Sequence, residues 1–382
     1  MNSNIISIVE NMINTVELNK LIEKSKDLPK QGTKEWLDAK KYRIGGSEIA
    51  TILNKNPYQK TKDLIEYHTD TKKFNNNIAV YWGRMFESIL QDYINDELKC
   101  KINEFGSIPH KKYNNIAYSP DGLAIVHRCR LNNFINVEDL TRYSLIVLFE
   151  FKCPYSRIPS GSIPDYYLPQ PKLGLDVIEI CDLAIFTEAV FRLCKLDDLD
   201  YANTNYNHQL HSKCTFDNIP IDIGYIIIYY DKLEFTDEMN ETFLKNIELL
   251  GKISDYIDKK FPNLYNEKYD LYDIGADSNY YVTNTIFEYI FNHSLFMVDK
   301  NKGNTNLNER CEYLKNNNHS IFGVIPYKLM KLYNNRVDRD VDPTFITENM
   351  IEKINKIVDV IKDCDNKSYI DRSNIIRSYN IE

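Results

Sequence analysis

Apolar residues recur along this chain with two spacings, about every 3.6 positions and every second position, which predict helices and strands respectively. Near-helical spacing predicts an N-terminal helix over residues 1–26, whose apolar face is expected to pack on the rest of the protein and contains Ile5, Ile8, Val9, Met12, Ile13, Val16 and Leu21. Further helices are predicted at 34–41, from 47 onward, and at 61–68, 84–98, 172–180, 237–261, 284–296 and 346–363.

Short apolar runs predict the strands of a sheet at 115–118, 123–126, 145–152, 183–191 and 221–235, with the last at the sheet edge. A polar stretch, 127–144, separates two of these strands and predicts an extended hairpin loop. A second polar stretch, 301–318, is rich in Asn and is also predicted to be a loop.

The most informative run is 145–154, in which β-branched and aromatic residues lead into Glu150, Phe151 and Lys152. It predicts a buried strand, and the side-chain period of two places Glu150 and Lys152 on one face and Phe151 on the other. Upstream, Asp121 lies in a Pro-Asp-Gly turn between two predicted strands. If these strands pair, Asp121 and Glu150 converge with Lys152 beside them.

Two carboxylates held close together repel, so near neutral pH they share a proton or hold a cation. Oxygen donors of this kind suit Mg²⁺ or Mn²⁺. Asp121, Glu150 and the Phe151 carbonyl can hold such an ion while Lys152 orients or deprotonates a water, which is a site for phosphodiester hydrolysis. The Glu-x-Lys triplet alone is weak evidence in a chain with 27% charged residues, and Glu97–Lys99 repeats it without the upstream Pro-Asp pair.

Composition places the chain among ordinary globular proteins, with 43% hydrophobic residues in 382 positions. No apolar run approaches the roughly 18 residues of a membrane span, and no secretory signal is evident, so a soluble intracellular protein is expected. The eight cysteines form no Cys-x-x-Cys pair, which argues against a zinc ribbon or an iron–sulfur cluster. His208 and His211 are three residues apart but lie in a polar stretch, so a metal role there is not favoured.

The net charge of −8 does not suggest a nucleic-acid-binding protein as a whole, but residues 30–60 contain seven basic and three acidic residues. Such a cluster can neutralise several phosphates, although a solvated helix face has the same composition. Within it, Gly45–Gly46 separates two predicted helices and leaves main-chain N–H groups and the Ser47 hydroxyl at a helix start, where phosphates bind. The alternative is a tight turn without a ligand.

The two central motifs together resemble the catalytic signature of a nuclease superfamily. Pro120–Asp121 followed by Glu150 and Lys152 is similar to the PD-(D/E)XK nucleases. The sequences Ser-Pro-Asp-Gly-Leu at 119–123 and Phe-Lys-Cys-Pro at 151–154 resemble the branch that contains phage lambda exonuclease and the YqaJ-like viral recombinases. The similarity extends from about residue 31 to about residue 191.

The resemblance implies an α/β, restriction-endonuclease-like fold with a mixed central β-sheet flanked by helices. It implies an exonuclease core at 1–262, which includes an N-terminal helical portion that binds the 5′ phosphate, and a mainly helical C-terminal extension at 263–382 packed on the core. The implied activity is Mg²⁺- or Mn²⁺-dependent hydrolysis of double-stranded DNA from its 5′ ends, with two ions and 5′-phosphate products.

Implied partners are DNA ends, a single-strand annealing protein and further copies of the chain, in viral DNA recombination or repair in the cytoplasm or nucleus of an infected cell. Two alternatives stay open. The first is an endonuclease or repair nuclease of the same superfamily. The second is a non-catalytic DNA-binding or host-interaction protein on the same scaffold.

In the N-terminal motif, Trp36–Ala50, the resemblance assigns the 5′ phosphate to Lys40 and Ser47, with Lys41 and Arg43 in support. The family usually has Arg where this chain has Lys40, so a point charge replaces a bidentate fork.

Three further residues are assigned by position near the catalytic carboxylates. Glu87, in Gly83–Glu87, matches a family glutamate that reaches the metal from the side, and Glu104 is a weaker carboxylate candidate on the strand before Asp121. Gln170 matches the first amide of a Pro-x-Tyr-Tyr-x-x-Gln-x-Gln segment that contacts DNA or the attacking water. Lys172 stands at the second amide position, where either its charge binds a phosphate or the role of the amide is lost.

Overall fold

The computed structural model of the chain describes residues 3–29, 34–72, 78–155, 157, 159–193, 221–231, 297–302, 306–340 and 345–379. The helices predicted at 237–261 and 284–296 and the His208–His211 pair lie outside these residues. No described helix is long and apolar enough to cross a membrane.

The N-terminal part is helical, as predicted. Its helices are α1 (Ser3–Ser25), α2 (Lys34–Lys40), α3 (Gly46–Ile52), α4 (Thr61–His68) and α5 (Ile78–Leu98). Helix α5 begins six residues earlier than the predicted start at 84, because Tyr81 and Trp82 are buried and add an apolar turn to its N-terminus.

Eight strands form two sheets among the described residues. The strands are β1 (Ile108–Pro109), β2 (Ala117–Tyr118), β3 (Gly122–His127), β4 (Ser144–Lys152), β5 (Leu183–Leu193), β6 (Asp222–Asp231), β7 (Met297–Lys302) and β8 (His319–Val337). Strands β1 and β2 pair with each other, and the others form a six-stranded sheet in the order β3-β4-β5-β8-β6-β7. Only β4 and β5 are parallel in this sheet, so the predicted mixed sheet is confirmed.

Strands β3 and β4 form an antiparallel hairpin in which Gly122 pairs with Phe149 and His127 pairs with Ser144. The polar insertion at 127–144 therefore joins the strands at the end opposite Asp121 and Glu150. It is not only a loop as predicted, since it begins with the short helix α6 (Arg128–Leu131). Leu131 is fully buried and anchors this helix.

The sheet corrects two expectations about the second half of the chain. Residues 297–302 and 319–337, predicted as part of a mainly helical extension, are strands β7 and β8, and β8 lies between β5 and β6. Strand β6 was expected at the sheet edge, but it pairs with β8 on one side and β7 on the other. The physical reason is its buried run Tyr225–Ile228, which needs neighbours on both sides.

The described residues of the C-terminal part contain the helices α8 (Leu307–Asn316), α9 (Glu348–Asp363) and α10 (Tyr369–Ser378). The helix predicted at 346–363 and the helical C-terminus are confirmed. The predicted Asn-rich loop at 301–318 is wrong for α8, because the Asn306 side chain caps the helix by accepting from the Glu309 amide.

Helices cover both faces of the large sheet. Helix α5 packs on one face against residues such as Val147 and Phe149. Helices α3, α4, α7 (Pro169–Val177) and α9 pack on the other face around Ile146 and Leu148. The layers therefore place the C-terminal end of β4 between α5 and the α3–α7 pair.

Helix α1 packs in a way that the sequence did not predict. Six residues of its expected core face are about half exposed: Ile5, Ile8, Val9, Met12, Ile13 and Val16. The helix contacts the hairpin through polar groups instead, since the Asn14 amide donates to the Ser144 carbonyl at 2.9 Å. The Glu10 carboxylate accepts from the amides of Tyr143 and Ser144.

Candidate active site

The hairpin brings together the two halves of the catalytic signature. Asp121 lies directly before β3, and the carboxylate Oδ2 accepts a hydrogen bond from the Phe151 amide at 2.6 Å. Glu150 and Lys152 lie at the end of β4, and the period of two places them on one face as predicted. The strand forms there because its apolar residues, Leu145–Phe149, are buried on both faces.

The Glu150 side chain is fully buried and both carboxylate oxygens have partners. Oε2 accepts from the Tyr118 hydroxyl at 2.6 Å, and Oε1 forms an ion pair with the Lys152 ammonium. The ammonium also donates to the Phe151 carbonyl at 3.0 Å and lies 5.7 Å from the centre of the Tyr167 ring. A cation thus already bridges two of the oxygen donors that the sequence assigned to a metal.

Negative charge is concentrated at this point. Burial and the neighbouring charge of Glu150 raise the pKa of Asp121 well above its ordinary value. Burial alone would lower the pKa of Lys152, but the charges of Glu150, Asp121 and Glu87 outweigh burial and raise it. The site therefore favours binding of positive charge.

Glu87 belongs to the same electrostatic cluster, although it comes from α5 on the other face of the sheet. Burial raises its pKa, the charge of Glu150 adds to that effect, and the charges of Lys152 and Lys300 oppose it. Gly83 lies one turn before Glu87, and a Cβ there would come within 3.1 Å of the Glu87 Oε1 atom. This glycine leaves room for the carboxylate against the helix.

Glu104 is placed differently from the other candidate carboxylates. It is exposed, and its Oε1 accepts from the Gln91 amide at 3.3 Å. Gln91 lies on α5, one turn beyond Glu87.

The predicted phosphate-binding residues differ in how strongly acidic side chains engage them. Lys41 forms an ion pair with Asp365, and Lys172 contacts both oxygens of Asp340 at 2.7 and 2.8 Å. Lys40 lies farther from its acidic neighbour, 3.5 Å from Glu48, and 5.3 Å from the centre of the Trp36 ring.

Arg43 and Ser47 lie on the surface side of the same segment. The Arg43 guanidinium donates to the Asn114 carbonyl at 3.3 Å, and Ser47 is exposed in the first turn of α3. Gln170, in the first turn of α7, has its Cγ 3.2 Å from the place where a Cβ on Gly46 would be. The structure therefore brings Gln170 next to the Gly45–Ser47 segment.

Three functional candidates were missed from the sequence. The first is a buried pair in the basic segment: Glu48 contacts the His68 ring at 2.9 Å and accepts from the Gly45 amide at 2.8 Å. Burial opposes ionisation of Glu48, but Lys40, His68 and the Gly45 amide outweigh it and lower the pKa to about 2. Nothing in the spacing of Glu48 and His68 indicates this contact.

The second missed candidate is Tyr118, which donates a hydrogen bond to Glu150. It lies three residues before Asp121, and this closeness in sequence could have indicated that it belongs to the site. The third is the ion pair between Arg157 and the fully buried Glu188. Glu188 pairs in register with Lys152 across β4 and β5. The guanidinium of Arg157 lies 5.7 Å from the Tyr167 ring, which Lys152 also approaches.

The donor set fits a hard divalent cation in type. It offers carboxylate and main-chain carbonyl oxygens from Asp121, Glu150 and Phe151, with Glu87 nearby. Within the described part of the chain, no group of three or more His, Cys, Asp or Glu side chains has the geometry of a metal site. Two carboxylates, a carbonyl and water would have to complete the coordination, which is usual for Mg²⁺.

Comparison with known proteins agrees with the sequence motifs. Residues 35–180 match the family model of the YqaJ-like viral recombinase domain. A protein of African swine fever virus from a Malawian tick isolate is 30% identical over 199 residues, and its South African counterpart is 32% identical. Each alignment covers 49% of this chain and 57% of the viral protein, so this chain matches little more than half of the relatives' length.

Among solved structures, an alkaline exonuclease from Laribacter hongkongensis is similar at a TM-score of 0.32 and 19% identity. The match covers 41% of this chain and 74% of that protein. The same exonuclease in complex with dAMP matches equally, over 73% of its length.

Proposed function

We propose that the protein is a metal-dependent deoxyribonuclease, starting from the match of residues 35–180 to the family model of the YqaJ-like viral recombinase domain. Its substrate is the end of double-stranded DNA. The enzyme degrades one strand from 5′ to 3′, and its products carry 5′ phosphates. The exposed 3′ strands then serve recombination or repair of viral DNA, with a single-strand annealing protein as the partner that uses them.

One observation carries this proposal. Asp121 and Glu150 are 29 positions apart in the sequence, yet the Asp121 carboxylate bonds the Phe151 amide at 2.6 Å and Lys152 bonds both Glu150 and the Phe151 carbonyl. Two carboxylates, one carbonyl and one ammonium at a strand end are the groups that hydrolysis of a phosphodiester needs.

In the mechanism that we propose, Asp121, Glu150 and the Phe151 carbonyl would hold Mg²⁺ or Mn²⁺, and Glu87 would add a carboxylate from α5. When bound, the metal would act as a Lewis acid that neutralises the negative charge on the phosphate and on the leaving oxygen. Lys152 donates a hydrogen bond that orients the attacking water or a phosphate oxygen. Gln170 contributes an amide from the first turn of α7 to the DNA or the water.

The proposed site for the 5′ phosphate is Lys40 and Ser47, at the surface of the basic segment. It is supported by the packing of Gly46, the residue before Ser47, against the ring of Tyr118, whose hydroxyl donates to Glu150. Arg43 adds charge on the exposed side. Lys41 and Lys172 contribute less, because Asp365 and Asp340 already neutralise them.

A digestion with two labelled substrates tests the proposal. Linear duplex DNA and a covalently closed circle of the same sequence are incubated with the purified chain, with and without Mg²⁺. We expect release of mononucleotides from the linear DNA only with Mg²⁺, while the circle stays intact. Cleavage of the circle would identify an endonuclease instead, and no cleavage of either DNA would favour a non-catalytic protein.

A further inference from the structure

We infer that Tyr118 is a positioning residue for Glu150 and that its ring couples the Gly45–Ser47 segment to the candidate metal site. The inference deepens the proposed function and rests on it. It concerns side chains outside the catalytic signature, and it assigns a structural purpose to two glycines on different helices.

The hydroxyl of Tyr118 fixes one half of the Glu150 carboxylate. Tyr118 is fully buried and donates to Glu150 Oε2 at 2.6 Å, while Lys152 contacts Oε1. Because each oxygen has a different donor, rotation of the carboxylate would break one bond or the other. Hydrogen bonds of this kind orient metal-binding carboxylates and raise metal affinity.

The ring of Tyr118 is held between two glycines. A Cβ on Gly46 would lie 2.5 Å from the Tyr118 Cε2 atom, and a Cβ on Gly174 would lie 2.7 Å from Cε1 and from Cζ. Real side chains do not approach so closely. Gly46 opens α3 and Gly174 lies in α7, so the two helices can close on the ring only where they lack side chains.

This packing provides a path between the two proposed sites. Gly46 is adjacent to Ser47, which we assign to the 5′ phosphate, and its backbone contacts the ring whose hydroxyl holds Glu150. A change at Gly46 that shifts the ring must therefore move the hydroxyl and loosen Glu150. Of the three atoms nearest to a Cβ at Gly46, the two closest belong to the Tyr118 ring and the third is the Cγ of Gln170 at 3.2 Å, so the steric effect falls first on Tyr118.

A buried tyrosine can also bond the nearest carboxylate merely to satisfy its hydroxyl, so the test needs a matched control. Tyr327 offers one: it is 1% exposed, and its hydroxyl donates to the Asn301 carbonyl at 2.9 Å. Tyr118→Phe and Tyr327→Phe each remove one hydroxyl and keep the ring. Both should cost similar stability in the absence of metal.

Titration of Mn²⁺ into the full chain by calorimetry measures the proposed role without relying on activity. We expect Tyr118→Phe to weaken Mn²⁺ binding by about tenfold or more, whereas Tyr327→Phe stays close to wild type. Equal Mn²⁺ affinity in the two variants would overturn the positioning role. Circular dichroism melts without metal establish that both variants are folded.

A second pair of variants tests the coupling. Gly46→Ala should weaken Mn²⁺ binding in the wild-type background but add no further loss in the Tyr118→Phe background, because the hydroxyl that transmits the shift is gone. Equal losses in both backgrounds would overturn the coupling. If Tyr118→Phe does not fold, the Mn²⁺ affinity of Gly46→Ala still tests the inference, because this variant keeps Tyr118.

The titration separates failure of this inference from failure of the proposed function. A wild-type chain that binds Mn²⁺ but does not cleave DNA contradicts the proposed activity, while the Tyr118 comparison still decides the positioning role. A wild-type chain that binds no Mn²⁺ overturns both.

Discussion

The Asp121 carboxylate accepts a hydrogen bond from the Phe151 amide, 2.6 Å away, so the turn before β3 is tied to the end of β4 at the point where the signature residues meet. An asparagine at position 121 can accept the same bond through its side-chain carbonyl. Asp121→Asn therefore removes the charge while it keeps the contact that orders the turn.

We predict that Asp121→Asn stabilises the metal-free protein at neutral and alkaline pH. The pKa of Asp121 is raised by burial and by Glu150, so its ionisation costs stability as pH rises above the unfolded value of roughly 3.9. The variant escapes this cost, so we expect its stability advantage over wild type to grow as pH rises from 4 to 8. Urea unfolding in the presence of a chelator, from pH 4 to pH 8, measures the difference.

The gain should shrink as pH falls toward 4, because the unfolded carboxyl takes up its proton near its pKa of roughly 3.9 while the folded carboxyl already holds its proton. A variant that is less stable than wild type across this range would mean that the Asp121 charge is well compensated without metal.

We predict that Lys152→Met binds Mn²⁺ more tightly than wild type although it loses nuclease activity. The Lys152 ammonium contacts Glu150 Oε1 and the Phe151 carbonyl, so it competes with a metal for these donors. Removal of its charge takes away a cation that acts on Glu150, Asp121 and Glu87. Calorimetric titration with Mn²⁺ compares the affinities of the variant and wild type. Weaker binding by the variant would show that Lys152 supports the metal rather than competing with it.

We predict that His68 titrates above its ordinary range. Burial lowers the pKa of His68, but the hydrogen bond and charge of Glu48 outweigh burial and raise it. The stabilisation from protonated His68 is thus fully present below the unfolded pKa of about 6.5 and is lost as pH rises through the folded pKa. An NMR titration of the His68 ring measures this value directly.

Glu48→Gln is the control for the histidine. It removes the charge that raises the pKa but keeps the burial that lowers it, so the pKa of His68 should be lower in this variant than in wild type. The same pKa in wild type and Glu48→Gln would contradict the buried ion pair.

We predict that Lys40→Ala weakens the preference for 5′-phosphorylated over 5′-hydroxyl DNA ends by about tenfold, the usual size of one charge-assisted hydrogen bond. Lys41→Ala is the matched neighbour, and its preference should stay near that of wild type because Asp365 engages Lys41. Initial rates on the two kinds of duplex give the ratio. A larger effect from Lys41→Ala would contradict the assignment to Lys40 and indicate that Lys41 binds the 5′ phosphate.

The local pattern was sufficient to predict the β3–β4 hairpin. Leu145–Phe149 forms a continuous apolar run, so its strand character and the facing of Glu150 and Lys152 followed from the period of two. The Pro-Asp-Gly turn then limited where Asp121 could lie.

Features set by distant contacts could not be predicted in this way. Strand β8 inserts between β5 and β6, and no spacing along the sequence indicates that order. The apolar residues of α1 suggested a buried face, but six of them are about half exposed, and Asn14 and Glu10 bond the β3–β4 hairpin. The partners of Lys41 and Lys172 lie 324 and 168 residues away, respectively, so only the fold could reveal that these charges are neutralised.

The measurement that tests the central claim most directly is Mg²⁺-dependent digestion of end-labelled linear duplex DNA by wild type and by Asp121→Asn. The account predicts that wild type releases nucleotides and that the folded variant is slower by more than the roughly 100-fold typical of residues that only support a metal ligand. Equal digestion by the two proteins would contradict a catalytic centre built on Asp121 and Glu150.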